Sequence, residues 1–271
     1  MPAKPKLGQN FLNDAQAIHR IAASLGDLTG RTVVEIGPGA GAITGALAAR
    51  AAHVLAVELD SGLAAHLRTQ FDPSRVTVIA QDVLKFDFAE AAKAAGQQLL
   101  VVGNLPYGIT SQILLKLAAS HAAPGRTVPS QPVLDRAVLM VQREVADRIT
   151  AKPGSRDYGL LSVTVQMYGS VESLFTLSPE SFSPPPDVHS TVFRWRFAPR
   201  FAALGVEEAA FLPFVRKAFS QKRKTLANNL RAAGFAADAI DAALNLTSID
   251  SRVRAEALPI EDIAALWRAL R

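Results

Sequence analysis

Cysteine is absent from this chain of 271 residues. That removes disulfides, thiolate metal sites, iron–sulfur clusters and thiol nucleophiles, so any group transfer here proceeds without a covalent cysteine adduct. Histidine is sparse. His19, His53, His66, His121 and His189 lie far apart and form no HExxH-type pair, which argues against a metal site. No apolar run approaches the ~20 residues that a membrane helix requires. The opening residues Met1-Pro2-Ala3-Lys4-Pro5-Lys6 lack the apolar core of a secretory signal. A G-x-x-x-x-G-K-[ST] phosphate loop is missing too. These absences lead us to expect a cytoplasmic protein with no metal and no membrane association, monomeric by default.

What is present describes a folded protein. Hydrophobic residues make up 49% of the chain and charged residues 20%, a globular composition. The length allows one large domain and a smaller one. The net charge of +5 is local. Between Arg200 and Arg231 stand Arg200, Arg216, Lys217, Lys222, Arg223, Lys224 and Arg231 against Glu207 and Glu208, which accounts for the whole excess. A concentrated basic patch is the expected footprint of a polyanion partner, and a solvated helix face is the plainer alternative.

Strand and helix signals alternate along most of the chain. A helix is expected after Asn13 or Asp14, both good N-caps. Strands are expected at Thr32–Ile36, His53–Val57, Val76–Ala80, Leu99–Gly103 and Ala137–Val141, with helices between them. Leu160–Tyr168 has strand-like alternation at its centre. A parallel sheet, however, needs a crossover after its fifth strand, so a helix is expected there. Two further strands follow at Val171–Leu177 and Ser190–Phe197. The proline-rich connection Ser178–His189 is expected to lack regular structure. From about Gly205 the pattern is helical, and Phe214, Val215, Ala218, Phe219 and Leu226 suit the buried face of one helix spanning the basic run. The fold class expected is α/β: a doubly wound, mostly parallel, seven-stranded Rossmann-like sheet in residues 1–204, with an all-α domain in 205–271.

The strand ends carry the chemistry. Gly37, Gly39 and Gly41 follow the first strand in G-x-G-x-G spacing, unlike the dinucleotide G-x-G-x-x-G, which suits a nucleoside better than NAD or ATP. Glu58 ends the second strand, where a carboxylate can take ribose hydroxyls. Asp82 ends the third, where it can accept from an adenine amine or merely cap a helix. Asn104-Leu105-Pro106-Tyr107 ends the fourth. Asn supplies an acceptor, Pro a stiff turn and Tyr a flat ring, a set that suits a planar amine; a proline turn with a half-buried Tyr is the plain alternative.

Taken together, Leu7-Gly8-Gln9-Asn10-Phe11-Leu12, Glu35-Ile36-Gly37-Pro38-Gly39-Ala40-Gly41, Gln81-Asp82-Val83-Leu84, Asn104-Leu105-Pro106-Tyr107, Phe182-Ser183-Pro184-Pro185-Pro186-Asp187-Val188 and Phe219-Ser220-Gln221-Lys222-Arg223-Lys224-Thr225-Leu226 resemble the ribosomal RNA adenine dimethyltransferases. The likeness runs from Lys6 to about Leu230 and is strongest to the bacterial small-subunit branch. It implies two successive methyl transfers from S-adenosylmethionine to N6 of each of two adjacent adenosines. The substrate implied is the 3′-terminal hairpin loop of 16S rRNA in an immature 30S subunit. By the same resemblance, cofactor contacts fall on Gln9, Asn10, Leu12, Glu35, Gly37, Gly39, Gly41, Glu58, Asp82, Val83 and Asn104. Many relatives carry His where Asn10 stands. Catalysis falls on Asn104, Leu105, Pro106 and Tyr107, with Phe182 as a second stacking face or as plain core. RNA contacts are expected from Lys4 and Lys6 of an N-terminal arm and from Arg216, Lys217, Lys222, Arg223 and Lys224. Competing readings are a large-subunit rRNA adenine methyltransferase of antibiotic-resistance type, a non-catalytic ribosome assembly factor, and an NAD dehydrogenase, the last disfavoured by the glycine spacing.

Overall fold

The computed structural model describes residues 10–120 and 133–271, so Lys4, Lys6 and Gln9 lie outside the described residues. In chain order the elements are β1 (Phe11–Leu12), α1 (Ala15–Ser24), β2 (Thr32–Ile36), α2 (Ala42–Ala48), β3 (His53–Glu58), α3 (Ser61–Gln70), β4 (Val76–Ala80), α4 (Phe88–Ala95), β5 (Leu99–Asn104) and α5 (Thr110–Ala119). They continue with β6 (Leu134–Gln142), α6 (Arg143–Thr150), α7 (Leu160–Met167), β7 (Gly169–Leu177), β8 (Phe182–Ser183), β9 (Ser190–Phe197), α8 (Glu208–Ala218), α9 (Leu226–Ala232), α10 (Ala237–Leu246) and α11 (Ile260–Ala269).

Seven strands form one sheet in the order β4-β3-β2-β5-β6-β9-β7. The first five run parallel and β9 lies antiparallel to β6. Thr-Val-Val-Glu-Ile of β2 is buried throughout, as are Leu99–Gly103 of β5. Strands buried on both faces are what a parallel sheet covered by helices requires; Glu35 is the buried acid within β2. The chain winds outward from β2 through β3 to β4, then returns to place β5 on the other side of β2. Reversals of this sort open a crevice at the carboxyl ends of the strands. Gly103 faces Ile36 across that seam. A Cβ there would lie 2.8 Å from the Ile36 carbonyl oxygen, so the close approach of β2 and β5 demands glycine.

Local rules set the helix starts. Asp14 caps α1 by accepting from Ala17 N–H at 3.0 Å, and Asp60 caps α3 by accepting from Gly62 and Leu63 N–H at 2.8 and 3.0 Å.

The chain divides into two compact units, one of residues up to 146 with 171–197, the other of 147–170 with 198–271. The expected division at 204 was continuous in sequence; this one is not. The helix at 160–167 is present, but its expected reason fails. The strand beside β6 is the antiparallel β9, and α7 belongs to the helical unit. There Tyr168, just past α7, donates to Glu208 at 2.5 Å and meets the Phe201 ring edge-on.

Two further expectations need correction. The proline-rich connection contains a short strand, β8, paired antiparallel with β1 through Phe11↔Ser183 and Leu12↔Phe182. The basic run does not lie on one long helix. α8 stops at Ala218, and Lys222, Arg223 and Lys224 sit on the turn before α9. Asn229, buried on α9, donates through Nδ2 to the Ala218 and Gln221 carbonyls at 2.7 and 3.2 Å, which satisfies the end of α8 and fixes the turn.

Candidate functional site

A cavity of about 530 Å³ opens at the carboxyl ends of β2, β3 and β5. Of the expected residues, Asn10, Leu12, Glu35, Gly37, Gly39, Glu58, Asp82, Val83, Asn104, Leu105, Pro106 and Tyr107 all line it. Gly41 and Phe182 are not among its lining residues. Gly41 instead opens α2 at φ +87°, and a Cβ there would come within 2.9 Å of the Leu67 side chain. Its glycine serves the packing of α2 on α3. Phe182 is 2% exposed and belongs to the hydrophobic core with Leu12 and Leu177. Of the two rings expected to stack, Tyr107 lines the cavity and Phe182 is packed in the core beside it.

Each acid at the strand tips has a defined set of partners. Glu58 accepts from Gly39 N–H through Oε2 at 3.0 Å and from Asp60 N–H through Oε1 at 2.9 Å. It thus holds the glycine loop against β3, and each oxygen keeps a second lone pair. Asp82 uses Oδ1 to accept from Leu84 N–H at 2.9 Å, capping a short turn, which leaves Oδ2 available for a second partner. Glu35 is buried, and its Oε2 accepts from the Thr44 hydroxyl at 2.6 Å. Burial pushes its carboxyl up to about 7; the Thr44 hydrogen bond acts in the opposite direction and the nearby Glu58 charge adds to the rise.

Glu35, Glu58 and Asp82 are the acids lining the cavity, and no Lys, Arg or His lines it among the described residues. Such a wall favours a ligand carrying positive charge, as a sulfonium and an α-ammonium do. Carboxylate oxygens also match ribose hydroxyls and an adenine amine, so the residues present fit S-adenosylmethionine.

At the tip of β5, Asn104 Nδ2 donates to the Asn10 main-chain carbonyl at 3.1 Å. A carbonyl only accepts, so this bond fixes the amide orientation and leaves Oδ1 for another partner. The Pro106 carbonyl accepts from Thr110 Oγ1–H and Ile109 N–H at 3.0 and 3.2 Å. By contrast, the Leu105 carbonyl accepts no hydrogen bond among the described residues. Two acceptors therefore stand unspent on adjacent residues.

This chain matches the family model described as Ribosomal RNA adenine dimethylase over residues 2–271. It belongs to that family. A protein of Acidobacterium capsulatum named Ribosomal RNA small subunit methyltransferase A is 54% identical over 268 residues, covering 98% of this chain and 91% of the relative. One of the same name from Koribacter versatilis is 48% identical over 280 residues, covering 99% and 94%. Among solved structures, the 23S rRNA methyltransferase ErmE superposes with a TM-score of 0.71 at 26% identity, covering 96% of this chain and 99% of that one. The protein is thus an S-adenosylmethionine-dependent rRNA adenine dimethyltransferase on a Rossmann-like sheet.

Sequence reasoning missed several residues. Thr44 holds Glu35, and Ser190 lies 2.9 Å from the Tyr107 phenol. Leu59, 55% exposed at the cavity lip, follows Glu58 directly, which was the one signal available. In the helical unit, Arg216 and Lys217 occupy the exposed last turn of α8. Two other loops meet the Lys222–Lys224 turn: Lys222 Nζ donates to the Arg156 carbonyl at 2.8 Å, Gly154 N–H to the Glu256 carbonyl at 2.7 Å and Leu226 N–H to the Val253 carbonyl at 2.8 Å. They bring exposed Lys152, Arg156, Arg252 and Arg254 to the expected Lys222, Arg223 and Lys224. Nothing in the local sequence joins these segments.

Proposed function

We propose that this chain transfers methyl groups to N6 of two adjacent adenosines in the 3′-terminal hairpin loop of 16S rRNA within an immature 30S subunit. The observation that carries the reading is the pair of unspent acceptors, Asn104 Oδ1 and the Leu105 carbonyl, at the mouth of an acid-lined cavity.

Adenine N6 is a poor nucleophile because its lone pair is delocalised into the ring. Two acceptors on its two hydrogens favour pyramidal nitrogen and aim the lone pair, an orientation effect of several kcal/mol. When bound, S-adenosylmethionine supplies a methyl group on a positively charged sulfur that departs as a neutral thioether. Glu58 would hold the ribose hydroxyls, Asp82 the adenine amine, and Asn10 with Leu12 the near wall. The extra proton left on N6 is acidic enough to pass to water, so no residue is assigned as a general base. Everting the target base costs a few kcal/mol, less in a loop, and stacking on Tyr107 returns about 1–3 kcal/mol. The cations of the helical unit position the RNA by phosphate contact rather than reading bases.

Identity of 54% with a relative named for the small subunit, against 26% with the 23S enzyme, supports the small-subunit substrate. The test is incubation with labelled methyl donor and either undermethylated small subunits or free 23S fragments, followed by mapping of modified bases. Label confined to two adjacent adenosines of the small-subunit hairpin is expected. Label on 23S fragments alone would overturn the assignment.

A further inference from the structure

Tyr107 is held at both ends. Its backbone lies on the turn after β5, where Ile109 N–H and the Thr110 hydroxyl donate to Pro106 and Leu105 N–H donates to the Met140 carbonyl at 2.9 Å. Its far end, the phenolic oxygen, lies 2.9 Å from Ser190 Oγ, 83 positions further along the chain. Ser190 is 0% exposed and opens β9 opposite Gln142 of β6. The neighbouring residues are tied as well: Arg143 N–H donates to the His189 carbonyl at 3.0 Å, and the Thr191 and Thr176 hydroxyls lie 2.8 Å apart. The anchor thus belongs to the sheet rather than to a loop.

A serine hydroxyl at a fully buried strand start is costly unless it is paired, and alanine would fill the same space without that cost. Among the described residues the Ser190 hydroxyl has Tyr107 as its hydrogen-bond partner. Tyr107 itself is half-buried, with the cavity beside it. A tyrosine ring has two soft torsions, and a backbone turn fixes neither. A hydrogen bond at the phenolic oxygen fixes the first torsion, so the ring is held in place beside the cavity before any base arrives; that oxygen lies on the axis of the second torsion, and this bond leaves the ring plane free to turn.

We propose that Ser190 is a positioning residue of the methyl-transfer site: its hydroxyl fixes where the Tyr107 ring stands, the ring on which the target adenine is received. The proposal rests on the reading of Tyr107 as the adenine's stacking face.

The test is a double-mutant cycle on the full chain. Single-turnover methylation of undermethylated small subunits is measured for the wild type, Ser190→Ala, Tyr107→Phe, the double variant and Tyr107→Ala, with cofactor affinity measured by calorimetry. Ser190→Ala and Tyr107→Phe should each slow methylation about three- to tenfold, the worth of one hydrogen bond. The double variant should be no slower than the slower single one, and cofactor affinity should stay unchanged throughout. A normal rate for Ser190→Ala, penalties that multiply in the double variant, or a parallel loss of cofactor affinity would each overturn the proposal. Tyr107→Ala separates the two claims: a full rate there removes the stacking reading itself, whereas a large loss there beside a normal Ser190→Ala removes the anchor alone. If Ser190→Ala does not fold, Tyr107→Phe decides, because it leaves the buried serine in place; an undiminished rate for it refutes the anchor.

Discussion

The side-chain amide of Asn104 donates to the main-chain carbonyl of Asn10, 94 positions earlier in the chain. That carbonyl sits on a segment held from several sides. Leu12 pairs with Phe182, Asn13 N–H donates to the Ser181 carbonyl at 3.0 Å, and the Ser181 hydroxyl donates to Asp14 at 3.2 Å. Phe11 of the same segment packs on the glycine loop so closely that a Cβ on Gly39 would lie 3.0 Å from its ring. One short stretch of backbone thereby contacts the glycine loop and orients the Asn104 amide.

Asn104→Asp tests the orientation. The substitution keeps an acceptor but replaces the donor with a second oxygen facing the Asn10 carbonyl, so the side chain must turn away. We expect methylation to fall by about 100-fold or more, the scale of a misplaced reacting group. Asn104→Ala should lose methylation as well. Calorimetry should find both variants binding the cofactor, and near-normal turnover in either would refute the role.

Gly103→Ala tests the seam between β2 and β5. The added methyl meets backbone rather than a flexible side chain, so the strands must separate. A loss of about 1–3 kcal/mol is expected in urea unfolding, the usual cost of overpacking. An unchanged midpoint would show that the seam yields.

Glu35 gives the fold a pH dependence. Its carboxyl is raised from 4.5 to about 7 in the folded chain, chiefly by burial, so the protonated form is the one folding favours. The associated stability is fully present below about pH 4.5 and is lost as pH rises through about 7, a change of roughly 3 kcal/mol. Glu35→Gln removes the titration. Its stability relative to the wild type should therefore rise between about pH 4.5 and about pH 8 in denaturant titrations. A difference that stays flat across that window contradicts the assignment.

The basic loops predict a salt effect. Neutralising Lys222, Arg223 and Lys224 together should weaken binding of small-subunit rRNA and reduce the slope of log affinity against log salt by about 2 to 3. Neutralising Lys152, Arg156, Arg252 and Arg254, which share that surface, should also reduce the slope. Filter binding across a salt series checks both. Unchanged slopes would make the patch an ordinary solvated face.

The sheet was readable because its central strands are rich in β-branched residues and leucine and stop at a polar residue or glycine, as Leu99–Gly103 does before Asn104. The cavity was readable for the same reason: Glu58, Asp82 and Asn104 fall where such runs end. Pairing between distant segments was hidden. Two residues of β8 join β1 across about 170 positions, and no local pattern in Phe182-Ser183 announces it. The end of α8 depends on one side chain, Asn229, reaching back to Ala218, so periodicity alone carried the helix too far. Phe182 belongs to the proline-rich motif and is buried opposite Leu12, a placement that no local pattern in the sequence announces.

Co-crystals of the full chain with S-adenosylhomocysteine and adenosine test the central claim most directly. The account predicts Glu58 on the ribose hydroxyls, Asp82 on the nucleoside's amine, and Asn104 Oδ1 with the Leu105 carbonyl both within hydrogen-bond reach of the second adenosine's N6. A nucleoside seated elsewhere, or an Asn104 amide that turns its oxygen away from N6, would contradict it.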